Sequence, residues 1–146
     1  MIVRCAATFT SDLPDDQIED ESEWGDFIQY GGKSVIEAIA DILTRLGCVI
    51  EPPEHAFEHG WDMHATYGKR RLWCQVTLMG EYLFLFEDNT FFNSFRKRPH
   101  PDYVDILVRL AQELSLDPRF HDVLWFNKEG VMRKGVAGSE EPVSAD

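Results

Sequence analysis

Between residues 61 and 86 apolar and polar positions alternate, and the alternation is interrupted twice by a Gly-X pair, Gly68-Lys69 and Gly80-Glu81. Glycine at the first central position of a two-residue loop supplies the positive φ of a type II′ turn, so the stretch predicts three antiparallel strands joined by two hairpins. With two-residue loops Trp61 lies opposite Val76, Met63 opposite Cys74 and Ala65 opposite Leu72; in the second hairpin Leu78 lies opposite Leu83 and Val76 opposite Leu85. Strand side chains alternate between faces. One face therefore collects Trp61, Met63, Ala65, Leu72, Cys74, Val76, Leu78, Leu83 and Leu85, with no charged member. The other collects Asp62, His64, Thr66, Trp73, Gln75, Thr77, Met79, Tyr82, Phe84 and Phe86. The first face is expected to form the core, the second to remain for other molecules.

The rest of the chain supplies the cover. Residues 2–9 alternate and predict a strand. Ser34 and Glu37 form an S-x-x-E capping box for a helix running to about Leu46 and stopped by Gly47, with Val35, Ile36, Ile39, Leu43 and Leu46 on one stripe. A second amphipathic helix is expected from Pro101 or Asp102 to about Leu114. Residues 48–50 read as a short strand and residues 123–126 as a buried strand or short core segment. The expected fold class is α+β: a two-layer sandwich in which two main helices pack on one face of an antiparallel sheet. Residues 1–134 form one domain, and residues 135–146, rich in Ala, Gly, Ser, Glu and Pro, are expected to be a disordered tail.

Composition changes this picture in two respects. A chain of 146 residues that is 44% apolar suffices for one core without staples, and Cys5, Cys48 and Cys74, with no C-x-x-C pair, read as reduced core thiols. The net charge of −12 opposes binding to a phosphate backbone and favours a soluble protein or one with a basic partner. Neither a signal-peptide core nor a membrane span is legible, so the expectation is a cytoplasmic protein that binds no nucleic acid and no membrane.

Candidate chemistry is sparse. Gly31-Gly32-Lys33-Ser34 imitates a phosphate loop, but Phe27 stands where the motif needs glycine. His55, His59 and His64, interleaved with Glu54, Glu58 and Asp62, are the best set for a metal, although H-E-x-x-H is absent and no cofactor is expected. His64 with Asp62 on the same face is the acid–base alternative, which would serve a small ligand-binding protein or enzyme. Phe91, Phe92 and Phe95, in a long loop ahead of Arg96-Lys97-Arg98, would either close over the aromatic face or leave it open. From Asp12 to Asp26 the chain carries Asp12, Asp15, Asp16, Glu19, Asp20, Glu21, Glu23 and Asp26 without a Lys or Arg, a complement to a basic surface.

In size, charge and architecture the chain resembles the immunity proteins of bacterial polymorphic-toxin systems, those of contact-dependent inhibition and type VI secretion. The resemblance implies a stoichiometric inhibitor that occludes a toxin's active site. Asp15, Asp16, Asp20 and Glu23 would meet basic residues of the toxin, and Asp62, His64, Trp73, Gln75, Tyr82 and Phe84 would supply the sheet-face contact.

Overall fold

A computed structural model describes residues 1–21 and 27–145 of the chain. In order it contains β1 (Ile2–Val3), β2 (Ala6–Ser11), β3 (Ile18–Glu19), β4 (Phe27–Gln29), α1 (Lys33–Arg45), β5 (Val49–Ile50) and β6 (Glu54–His55). A single 3-10 turn at Phe57–His59 leads into β7 (Trp61–Tyr67), β8 (Arg70–Met79) and β9 (Glu81–Asp88). A second 3-10 turn, Asn93–Phe95, precedes α2 (Pro101–Leu116), β10 (Phe120–Phe126) and β11 (Val143–Ser144). The main sheet is antiparallel, with strand order β10-β2-β9-β8-β7-β5, and β6 extends the β7 edge. Both helices pack their apolar stripes on one face of it, which is the α+β two-layer arrangement the periodicities predict.

The first hairpin has the expected register, with Tyr67 paired to Arg70 across Gly68-Lys69. The second does not. Met79 pairs with Glu81 and the chain reverses on Gly80 alone, φ 80°, which moves every residue of β9 to the face opposite to that expected. Tyr82, Phe84 and Phe86 are therefore core residues, and Leu83 and Leu85 point to the other side. Residues 82–86 are apolar at every position, so a one-residue slip leaves no charge in the core and alternation cannot choose between registers. The choice falls to ring packing. Phe9 stacks on Tyr82 (5.6 Å) and Phe86 on Tyr103 of α2 (5.9 Å), whose hydroxyl donates to the Phe86 carbonyl at 2.5 Å.

Helix α1 is capped from a distance rather than by Ser34 and Glu37. Its N-cap is Gly32, φ 113°, with no side-chain cap, and the Ser34 amide donates to the Asp16 carboxylate at 2.7 Å. A side chain at Gly31 would meet Leu78 at 2.7 Å and one at Gly32 would meet Val76 at 2.9 Å, so the glycine pair lets the helix start lie against the sheet.

The strand expected at residues 2–9 is divided. β2 joins the sheet, whereas β1 pairs with β11, and the Arg4 amide donates to the Pro142 carbonyl at 2.8 Å. Ser139 and Trp125 exchange both backbone hydrogen bonds (2.7 and 2.8 Å). Composition marks residues 135–146 as a disordered tail; among its described residues Ser139 pairs with Trp125 of β10 and Val143–Ser144 with β1.

Candidate protein-interaction surface

The two helices cover only the inward face of the sheet. Reading the observed register across it, one outward row runs Asp62, Gln75, Leu85, Ala6, Phe126, and the next runs Thr77, Leu83, Thr8, Leu124. A third places Trp73 between His64 and Glu87. Trp73, Leu83, Leu85, Leu124 and Phe126 are all at least partly exposed on this face, with polar neighbours at its β7 side. Aromatic and aliphatic groups rimmed by hydrogen-bonding side chains are the mixture found in protein interfaces.

Part of the face is occupied. The His59 carbonyl accepts from Gln75 Nε2 (2.9 Å) and Thr77 Oγ1 (2.7 Å), so the turn after β6 lies over the β8 end of the first two rows. Gln75 belongs to the outward face as expected, but its amide is engaged within the chain. Tyr82 and Phe84, expected beside Trp73, are buried on the helix side, and burial together with the charges of Asp15 and Asp16 pushes the Tyr82 hydroxyl pKa up. Leu83, Leu85, Leu124 and Phe126 take their place.

The phenylalanines of the long loop do not close over this face, although its 93–99 stretch lies beside Glu87. Its base is pinned: Asp88 lies 3.5 Å from the buried Arg70 guanidinium and accepts from the Thr90 amide at 3.0 Å, while Thr90 Oγ1 accepts from the Arg71 amide at 2.7 Å. Beyond that base Phe91, Phe92 and Phe95 pack on one another and stand 81, 64 and 79% exposed. Arg96, Lys97 and Arg98 follow, also exposed.

The acidic segment sits elsewhere. Asp15 lines a hollow with Leu78, Gly80 and Tyr82, at the β8–β9 turn, roughly 15–20 Å along β8 from Trp73 at strand rise. Asp15 Oδ1 accepts from the Gln17 amide, and its carbonyl accepts from Gly32. The Asp16 carboxylate is committed to the start of α1, where negative charge is favoured by the helix dipole. Asp20 is exposed, and Glu23 lies outside the described residues. The predicted partner-binding set is therefore not one surface: Asp62, His64, Trp73 and Gln75 lie on the outward face, Tyr82 and Phe84 are core, and the Asp16 carboxylate caps α1.

The histidines also separate. His55 Nε2 accepts from the Tyr30 amide (3.1 Å), with its ring against Trp61 (5.1 Å), whose Nε1 donates to the Tyr30 carbonyl. His59 is exposed, and His64 Nδ1 lies 3.7 Å from Glu51 Oε2 instead of being paired with Asp62. Among the described residues no group of three or more His, Cys, Asp or Glu is placed to hold a metal ion. Cys74 is fully buried and Cys48 nearly so; burial pushes the Cys48 thiol pKa up to about 11 and that of Cys74 higher still, which suppresses the nucleophilic thiolate. No helix of the described residues is long and apolar enough to cross a membrane. Comparison with family models, with curated proteins and with solved structures finds no match to this chain.

Proposed function

We propose that the chain is a non-catalytic protein-binding module, a cytosolic immunity-type inhibitor that neutralises a toxin or effector by covering its active site. The observation that carries this reading is the outward sheet face: Trp73, Leu83 and Leu85 form a partly exposed apolar surface that neither helix covers, bordered by Leu124 and Phe126, against which the backbone at Gly138 packs. A rigid sheet presenting a tryptophan anchor beside polar groups fits a preorganised inhibitor, since little side-chain or loop ordering is left for the moment of association. The net charge of −12 speeds encounter with a basic partner and selects against acidic ones. The alternative of a small-molecule site has a hollow of about 350 Å³ beside His64 and Asp62, walled by Glu51, Pro52 and Pro53, but the phenylalanine loop does not close it.

The test is affinity capture from the source cells with wild-type chain, with a Trp73→Glu/Leu85→Glu double variant, and with Asp41→Asn on exposed α1 as a control. The proposal expects one basic protein held in a one-to-one complex by wild type and Asp41→Asn and released by the double variant, with circular dichroism confirming that all three are folded. Retention of the same protein by the folded double variant would remove the sheet face from the account.

A further inference from the structure

A second surface lies at the β10 edge of the sheet. A groove of about 630 Å³ runs between α2, β10 and the C-terminal segment. Val108 and Ala111 of α2 and Val123 of β10 give it an apolar floor, and Asp122, Glu140 and Glu141 give it a carboxylate rim. No Lys or Arg lines it, and none of the three carboxylates forms an ion pair with another described residue.

The backbone beside the groove is incomplete in a way that bears on what it takes. β10 is the last strand of its sheet, and its outer side is matched by one residue, Ser139, opposite Trp125. Between His121 and Leu124 the pairing with β2 shifts register, with Asp122 at φ 55°, a left-handed conformation uncommon for a residue with a side chain. A bulge of this kind turns a side chain out of the ordinary alternation, and here that side chain is a rim carboxylate. From Phe120 to Leu124 the edge spans about 13 Å at strand rise, enough to face a five-residue extended segment.

We propose that this groove binds an extended basic segment of the partner protein, added as a strand along β10. The segment's small apolar side chains would enter between α2 and β10, and its Lys or Arg residues would meet Asp122, Glu140 and Glu141. An exposed edge strand supplies main-chain pairing, and the pocket beside it selects side chains at every second position. Leu124 lines the groove and also belongs to the outward apolar face, so the two surfaces are continuous and one partner can contact both. The inference rests on the reading of the chain as a protein-binding module, but it fixes a different site and a specific partner chemistry.

The probe is a capped peptide, Thr-Lys-Val-Lys-Val-Lys-Thr, titrated at low salt into isotope-labelled full-length chain and followed by amide chemical shifts, with the Glu-for-Lys peptide as its counterpart. The expected result is saturable shifts centred on Val108, Ala111 and Val123 for the basic peptide and none for the acidic one. The Asp122→Asn/Glu140→Gln/Glu141→Gln variant, altered at exposed positions, should raise Kd about fivefold or more. Shifts absent from the groove, an equal response to the acidic peptide, or an unchanged Kd in the folded triple variant would each overturn the proposal. The assay contains no native partner. Its failure therefore leaves the Trp73 capture result standing, and a failed capture leaves the peptide result standing.

Discussion

Replacing Phe84 and Leu85 in turn by alanine tests the register on which the surface assignment depends. Phe84 has no exposed surface, sits between Val76 and Ala7 in its row, and packs its ring 6.0 Å from that of Phe86. Truncating a phenylalanine in such a site removes its transfer free energy and leaves a cavity, a loss of about 3–5 kcal/mol. Leu85 lies between Gln75 and Ala6 on the open face and is only partly buried, so its truncation should cost about 1 kcal/mol. At about 2–4 °C per kcal/mol for a domain of this size, Phe84→Ala should melt roughly 6–20 °C below wild type and Leu85→Ala roughly 2–4 °C below it. Urea unfolding followed by circular dichroism gives the same comparison at constant temperature, with unchanged m-values showing that both variants unfold from the same compact state. Two-residue loops in both hairpins would put Leu85 opposite Val76 in the core and Phe84 outside. A Leu85→Ala loss equal to or larger than that of Phe84→Ala would therefore refute the single-glycine turn, and with it the placement of Leu83 and Leu85 on the interaction face.

Two further outcomes follow from local geometry. Gly60 has φ 86°, and a Cβ there would run into the Val76 carbonyl oxygen, a rigid backbone atom of the central strand; Gly60→Ala should destabilise by about 2 kcal/mol or more, and a thermal shift within error of wild type would contradict the close approach. The Arg119 guanidinium, donating to Asp117 at 2.7 Å, holds that carboxyl below the usual carboxylate range against the opposing effect of burial. The stabilising contribution is therefore present above the unfolded value of about 4 and is lost as pH falls through the lower folded value. Asp117→Asn should lower urea stability by a constant amount at neutral pH, with the difference closing on acidification below pH about 4; a difference that widened in acid would reverse the assignment.

What was legible in the sequence was what is decided locally. Gly68-Lys69 set the first hairpin because a slip there would carry Asp62 or Gln75 into the core, and the helix ends followed from Gly47 and from Pro101 to within two residues. The failures have distant causes. Ser34 and Glu37 spell a capping box, yet the group that takes the Ser34 amide is Asp16, eighteen residues earlier. Gly31 and Gly32 look like a nucleotide motif because their real constraint, the approach of Val76 and Leu78, lies on another element. The pattern points to a strand only from Val123, whereas β10 starts at Phe120; the bulge at Asp122 breaks the alternation that would reveal the earlier residues. Of the interaction face, Trp73 could be assigned from the first hairpin alone. Leu124 and Phe126 could not, since their facing depends on that same bulge.

The open face raises the question of why the chain would not pair with itself there. Apolar side chains on an uncovered sheet, together with an edge strand, are ordinarily an invitation to self-association. Here the apolar residues are ringed by carboxylates: Asp62 and Glu87 end the rows that contain Leu85 and Trp73, and Asp122, Glu140 and Glu141 line the β10 edge. Glu87 is paired with Lys128 at 2.9 Å and lies beside Arg96, Lys97 and Arg98, so the carboxylate excess is on the β7 and β10 sides of the face. Two copies meeting face to face would bring like charges together at the boundary where water is being expelled, which is where repulsion is least screened. A basic partner reverses the sign of that same term. On the proposed reading, the charge that opposes closure of this face on a second copy would also favour a basic protein there, with burial supplying the adhesion and the rim the choice.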